Sequence, residues 1–311
     1  MKRTVPYAIV MTLALTGCDD PSGPEGPVIW GAVGDIPVPA DYDGDGAADF
    51  AVYRPAAAAW FLRVDCPGTC DFEPIGVGLP GDVPAPADYS GVGVTRPAGF
   101  EQASQARWRI ATGTCLVGLP CDQDVVQWGQ AGDIPVPADY DGDGADEIAI
   151  VRPAEGTWYV SWDNCSWEGG CEEGVFFFGT VGDQPAPADY DGDGDAEMAF
   201  LRPETGEWHI CPAPGCASPV IIEIDGTADV VVPADYDGDG DDDIAFYTRS
   251  GQTWHIAEDG CNPLNCTFRI VQFGTGIVDI PVPEDYDGDG TDDIAVVVPT
   301  TNGLTWRVRQ P

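Results

Sequence analysis

Six times along the chain one pattern returns, seen most fully in GDIPVPADYDGDGADEIAIVRPAEGTWYV from Gly132, so the chain must fold as copies of one small unit. The copies are anchored about 50 residues apart at Asp41, Asp88, Asp139, Asp189, Asp235 and Asp285. An Asp lies six residues before each anchor (Asp35, Asp82, Asp133, Asp183, Asp229, Asp279) and an Ala ten residues after it (Ala51, Ala98, Ala149, Ala199, Ala245, Ala295). A Trp follows further on, at Trp60, Trp108, Trp158, Trp208, Trp254 and Trp306.

Each copy reads as four short strands, which in the third copy span Ile134 to Tyr140, Glu147 to Val151, Thr157 to Trp162 and Val175 to Phe178. Prolines two residues apart, such as Pro135 and Pro137, remove backbone donors from one side of the first strand. That strand must be an edge, as is the innermost strand of a propeller blade, and the recurrent Ala and Trp are then small and large packing partners between blades. Val28 to Gly31 looks like a fourth strand without its unit, while the last unit stops after its third strand, Trp306 to Arg309. The expected fold is all-β, a six-bladed propeller of four-stranded blades closed by pairing of the N-terminal strand with the last repeat.

Five copies carry D-Y-D-G-D-G-x-x-(D/E) between the first and second strands. Their carboxylates are Asp41, Asp43, Asp45 and Asp49; Asp139, Asp141, Asp143 and Glu147; Asp189, Asp191, Asp193 and Glu197; Asp235, Asp237, Asp239 and Asp243; and Asp285, Asp287, Asp289 and Asp293. Carboxylates this close repel by about 4 kcal/mol per pair at an effective dielectric near 20, a cost that a bound cation removes. All-oxygen donors select calcium over zinc or copper, giving about five calcium sites. An EF-hand is excluded in the third copy, where Ile150 stands at the twelfth position in place of the bidentate Glu. The alternative is a solvated acidic turn without metal.

These loops, on repeats of this length, resemble the FG-GAP or VCBS-type repeats of bacterial surface proteins and the calcium-binding blades of integrin alpha-subunit propellers. The resemblance spans residues 30 to 309. It implies a calcium-stabilised propeller used in adhesion, ligand binding or as an accessory module, with the twenty carboxylates above as metal ligands and the backbone carbonyl of loop position seven, Ala145 in the third copy, joining them. The second copy departs from the pattern as DYSGVGVTR, with Ser90, Val92 and Arg96 in place of acids. It is expected to bind no calcium, with Arg96 pairing with Asp88 in place of the ion.

Residues 1 to 17 read as an export signal, with Lys2 and Arg3 ahead of an apolar stretch too short to span a bilayer. The ending Leu15-Thr16-Gly17-Cys18 resembles the lipobox of bacterial lipoproteins, which makes Cys18 the lipidated residue. A plain cleaved signal is the alternative. Residues 18 to 27 then form the lipidated cysteine and a flexible tether, and residues 28 to 311 the propeller. The other cysteines fall in five local pairs, Cys66 with Cys70, Cys115 with Cys121, Cys165 with Cys171, Cys211 with Cys216 and Cys261 with Cys266. Zinc needs four converging ligands, so hairpin-closing disulfides in an oxidising compartment fit these pairs better.

A formal net charge of −40 repels phosphate backbones and excludes nucleic acid as a partner. Arg54, Arg152 and Arg202 fall at the end of the ring opposite the acidic loops, beside Asp133, Asp183 and their equivalents, as a polar ligand face or as salt bridges tying neighbouring blades. His209 and His255 follow Trp in a slot that elsewhere holds Phe61, Tyr159 and Arg307, which reads as an outward-facing position. No catalytic constellation is evident. The expected protein is a monomeric, lipid-anchored module of the bacterial cell envelope, facing periplasm or exterior, that binds a glycan or surface protein. A polysaccharide-degrading, lyase-like enzyme and a purely structural surface protein are the alternatives.

Overall fold

The computed structural model describes residues 26–64, 74–112, 121–166, 170–212, 216, 218–224, 228–257, 261 and 266–310, without the side chains of 163–172. Its strands form six antiparallel four-stranded sheets, the blades of a propeller. Blade one consists of Ile36–Pro37, Phe50–Arg54, Ala59–Arg63 and Ile75–Gly76, and blade three of Ile134–Pro135, Ala149–Arg152, Thr157–Ser166 and Gly170–Phe177. The expected first strand is cut to two residues plus an isolated bridge, Ala138 to Glu147 in blade three, because Pro137 has no N–H to offer the ladder. Val136, between the two prolines, still donates to Ala149 O at 2.9 Å.

The sixth blade is shared by the two ends of the chain. Its inner strands are Ile280–Pro281, Ile294–Thr300 and Gly303–Arg309, and its outer strand is Val28–Ile29, with Val28 opposite Trp306. The Trp306 indole donates to Trp30 O at 2.9 Å, so the closing strand is fastened by a side chain as well as by its ladder. This removes an open sheet edge from the ring.

The core is divided among six seams between blades. Each recurrent Ala is fully buried and each recurrent Trp is no more than 1% exposed. Trp158, for example, packs with Met198 and Phe200 of the next blade, and Trp306 with Val52 of blade one. A small residue beside an indole lets neighbouring sheets approach closely while burying a large apolar area. Two cysteine pairs are disulfides, Cys211–Cys216 and Cys261–Cys266, with Cα atoms 4.9 and 4.5 Å apart. Cys121 is also disulfide-bonded. Cys18, Cys66, Cys70, Cys115 and the side chains of Cys165 and Cys171 lie outside the described residues, as do the expected export signal and most of the expected tether.

Candidate metal centre

The antiparallel order puts the turns between first and second strands at one end of the ring, where the acidic loops form a circle. Within each loop the first aspartate organises the backbone. Its Oδ1 accepts from the position-four glycine N–H at 2.5 Å in blade one and 2.7 Å in blades three to six. Its Oδ2 accepts from the position-six glycine at 2.8–3.0 Å in the same loops. Position four favours glycine in every copy, because φ lies between +63° and +82°, and in blade one a Cβ on Gly44 would also meet Val94 of the next loop at 2.8 Å. The tyrosine at position two anchors the loop to the blade, its hydroxyl donating to the carbonyl four residues back in all six copies, for example Tyr140 to Val136 at 2.7 Å.

The loops bring the expected carboxylates together. Oxygens of Asp41, Asp43 and Asp45 lie within 4.8 Å of one another, as do those of Asp139, Asp141 and Glu147, of Asp189, Asp191 and Glu197, and of Asp235, Asp237 and Asp239. The acid at position nine is the buried one: Asp49, Glu147, Glu197, Asp243 and Asp293 are all under 9% exposed. Each accepts from the position-two backbone N–H, at 2.8–3.2 Å. Burial first, and then the charge of the other loop aspartates, push the carboxyls of Asp49, Glu147 and Glu197 up to about 8 and that of Asp293 to about 7, against the lowering effect of that N–H. Asp293, 1% exposed, keeps Oδ1 buried without a hydrogen-bond partner. A buried carboxylate oxygen facing three other acids without a donor is a costly arrangement that a hard cation satisfies, so the residues fit the metal their composition implies.

Acids outside the expected set also belong to this rim. The carboxyl of Asp195, at position seven of blade four, is lifted to about 6 by its side-chain interaction with Asp193 and then by burial, and its oxygens group with those of Asp193 and Glu197. Asp241 stands likewise beside Asp239, at about 7. At position eight, Asp146, Asp242 and Asp292 reach across the seam and accept from the backbone N–H of Asp88, Asp189 and Asp235, at 2.6, 2.9 and 3.0 Å. The sequence signal for them was the surplus of acid inside the motif, as in Asp241-Asp242-Asp243.

The loops are also joined through their backbones. The N–H of position eight donates to the carbonyl of position one in the preceding blade: Ala48 to Asp285, Thr95 to Asp41, Asp146 to Asp88, Ala196 to Asp139, Asp242 to Asp189 and Asp292 to Asp235, at 2.6–3.0 Å. The six bonds close on themselves. The loop of blade two keeps its place in this circle although its acids are gone. There Arg96 Nε donates to Ser90 Oγ at 3.1 Å, and the Ser90 hydroxyl donates to Asp88 Oδ1 at 3.0 Å. The expected direct pair of Arg96 with Asp88 is thus replaced by a relay, because Asp88 is already taken by the Ser90 and Gly93 N–H groups as well as the hydroxyl.

At the opposite end, the arginines pair inside their own blades and do not tie neighbours. Arg54 grips Asp35 through Nε and Nη2 at 2.7 and 2.8 Å, and Arg152 with Asp133 and Arg202 with Asp183 repeat the bidentate geometry. The aspartate reaches its arginine across adjoining strands and accepts from the turn before it, as Asp35 does from Ala32 N. Arg54 and Arg152 lie over Phe61 and Tyr159, 4.3 and 4.4 Å from the ring centroids. His209 is 6% exposed, which corrects the outward-facing expectation: its ring stacks on Phe200 at 4.6 Å, with Nε2 3.3 Å from Glu207. His255 stacks on Phe246 at 4.4 Å. In blades one, three and four these groups form stacks of aspartate, arginine and ring.

The chain matches no family model and no curated protein. Among solved structures it is similar to a lectin of Agrocybe aegerita that recognises non-reducing terminal N-acetylglucosamine. The TM-score is 0.57 and the identity 17%, over 90% of this chain and 80% of the lectin. It also aligns with BBS1N from its complex with ARL6DN, with a TM-score of 0.48 and 11% identity over 89% of this chain and 79% of that one. At these identities the likeness is one of fold.

Proposed function

We propose that the chain is a calcium-loaded propeller of the FG-GAP or VCBS type, tethered through Cys18 to a bacterial envelope, whose loops bind a glycan or a surface protein. The observation that carries the metal reading is the grouping of carboxylate oxygens within the loops, joined in blades three and four by the buried position-nine acid, with Asp293 Oδ1 left without a donor. Asp41, Asp43, Asp45 and Asp49 would hold the ion in blade one, and the corresponding acids would do so in blades three to six. When bound, calcium supplies neutralisation of charge that the backbone N–H groups alone do not provide. The chain's own part is to fix the first aspartate by two glycine N–H groups and to keep the ninth acid inside the blade.

The binding reading is supported by the fold shared with a lectin. The decisive experiment is a glycan and surface-protein array probed with purified propeller in calcium and again in chelator. Saturable, calcium-dependent retention on one class of ligand is expected. Turnover of an acidic polysaccharide by the same material would replace this reading with an enzymatic one.

A further inference from the structure

The circle of backbone bonds described above passes through the metal loops. The peptide joining positions seven and eight gives its N–H to the preceding blade, so its carbonyl, on the opposite side of a trans peptide, is turned away from that neighbour. That carbonyl is the one that resemblance assigns to the ion. The acceptor across the seam is the carbonyl of position one, the residue whose side chain folds the next loop around both its glycines. Position four of one loop also lies near position seven of the next: a Cβ added at Gly142, Gly192 or Gly288 would come within 3.3–3.5 Å of the Cβ of Asp195, Asp241 or Ala47. A change in one loop's backbone at position eight therefore acts on position one of its neighbour.

We propose that the metal sites are wired in series through this ring, so that an ion in one blade tightens the sites on either side, and that the loop of blade two is its fixed, metal-free link. The proposal rests on the calcium reading above. A cation on the position-seven carbonyl polarises that peptide and strengthens its N–H as a donor, which holds the neighbouring first aspartate in its binding geometry. Coupling of this kind is reciprocal, so each site gains what it gives. In blade two the donor and acceptor are both present, Thr95 N–H to Asp41 and Asp88 carbonyl to Asp146, and the Arg96–Ser90–Asp88 relay holds the loop without an ion. Through-space electrostatics has the opposite sign, since one divalent ion lowers the attraction of the next loop for another.

The test disables blade four with Asp193→Asn and Glu197→Gln together. These changes remove two negative charges along with one divalent ion, so the empty variant loop carries the charge of the filled wild-type loop, and neighbours feel an unchanged field. Calcium is titrated into the full folded propeller while the amides of Gly144, Gly240, Gly44 and Gly290 report blades three, five, one and six by NMR. The expected result is a weakening of at least about fivefold at Gly144 and Gly240, with Gly44 and Gly290 affected less. Unchanged midpoints at Gly144 and Gly240 would overturn the wiring while leaving the calcium sites intact. No response at any glycine in the wild type would overturn the calcium reading itself. A second variant, Ala196→Pro, deletes one N–H of the ring without touching a carboxylate. It should leave five titrating loops and remove the dependence of Gly144 on blade four.

Discussion

Arg109 Nη1 lies 3.2 Å from Asp82 Oδ2, in the place that Arg54 holds beside Asp35, but the arginine comes from the third strand of its blade and not the second. The second-strand position carries Glu101, and Arg109 Nη2 holds that carboxylate at 2.8 Å. Gly99, opposite Arg109 in the ladder, clears the path, since a Cβ there would meet Asp82 at 3.2 Å. Blade two has kept the charge pair by exchanging strands. Both partners are under 10% exposed, so Arg109→Phe should cost about 3 kcal/mol by leaving Asp82 buried with the Leu79 N–H but without its cation. Adding Glu101→Arg should recover much of the loss by restoring the blade-one arrangement. Chemical denaturation of the three proteins checks this, and equal stability of the single and double variants would refute it.

Proton and metal compete for the same buried carboxyls, which sets a pH dependence of opposite sign in the two states. In the metal-free fold Asp49, Glu147 and Glu197 sit at about 8, well above the range of about 4 for an unfolded chain. Their protonated form therefore adds stability that is complete below about pH 4 and is lost as pH rises through about 8. Chelator-treated protein should melt lower at pH 8 than at pH 6. Calcium affinity should rise over that interval, because fewer protons remain to be displaced. At a hundredfold excess over Kd each site adds about 2.7 kcal/mol, so the gap between chelated and loaded melting temperatures should widen with pH. Calorimetry at both pH values decides, and a narrowing gap would contradict the reading.

Blade two lacks only acids, not the loop. Its first aspartate still takes the Gly93 N–H at 2.6 Å, and Tyr89 still bonds Ala85 O at 2.6 Å. Ser90→Asp, Val92→Asp and Arg96→Asp in one variant should install a sixth site and raise the calcium stoichiometry from five to six by isothermal titration. A count that stays at five would mean that the remaining backbone is not a metal loop.

Asp293 offers the sharpest separation of structural from metal-holding roles. Asp293→Asn keeps an oxygen for the Tyr286 N–H and removes a buried charge, so the metal-free protein should gain stability, by about 1 kcal/mol or more. The loaded protein should lose one ion and melt lower than wild type. A change of the same sign in both states, read by differential scanning calorimetry, would deny the site its ion.

Much of this architecture was visible in the sequence because it repeats. Ala149 and Trp158 are invisible as a packing pair in one copy, but six copies at fixed spacing mark both as core, and all twelve residues are buried. The closing strand was legible because Val28-Ile29 resembles a strand that the last repeat lacks. What escaped were features that depend on direction in space. Alternation along a strand does not say which face meets the next blade, so nothing in the sequence marks His209 as lying beside Arg202 and against Phe200. Spacing placed Arg54 and Asp35 at the same end of the ring, but only the register shows that they share a blade. The position-eight acids looked like surplus charge within a motif, and their contacts are to residues more than 50 positions away.

The pairing of Val28 with Trp306 bears on how such a ring comes into being. A ribosome delivers Val28 well before Trp306, so the clasp stays open until all the chain between them has been made. The first strand spends that time without its partner, and a premature stop shortly after Thr300 would leave five finished sheets around a ring with no means of locking.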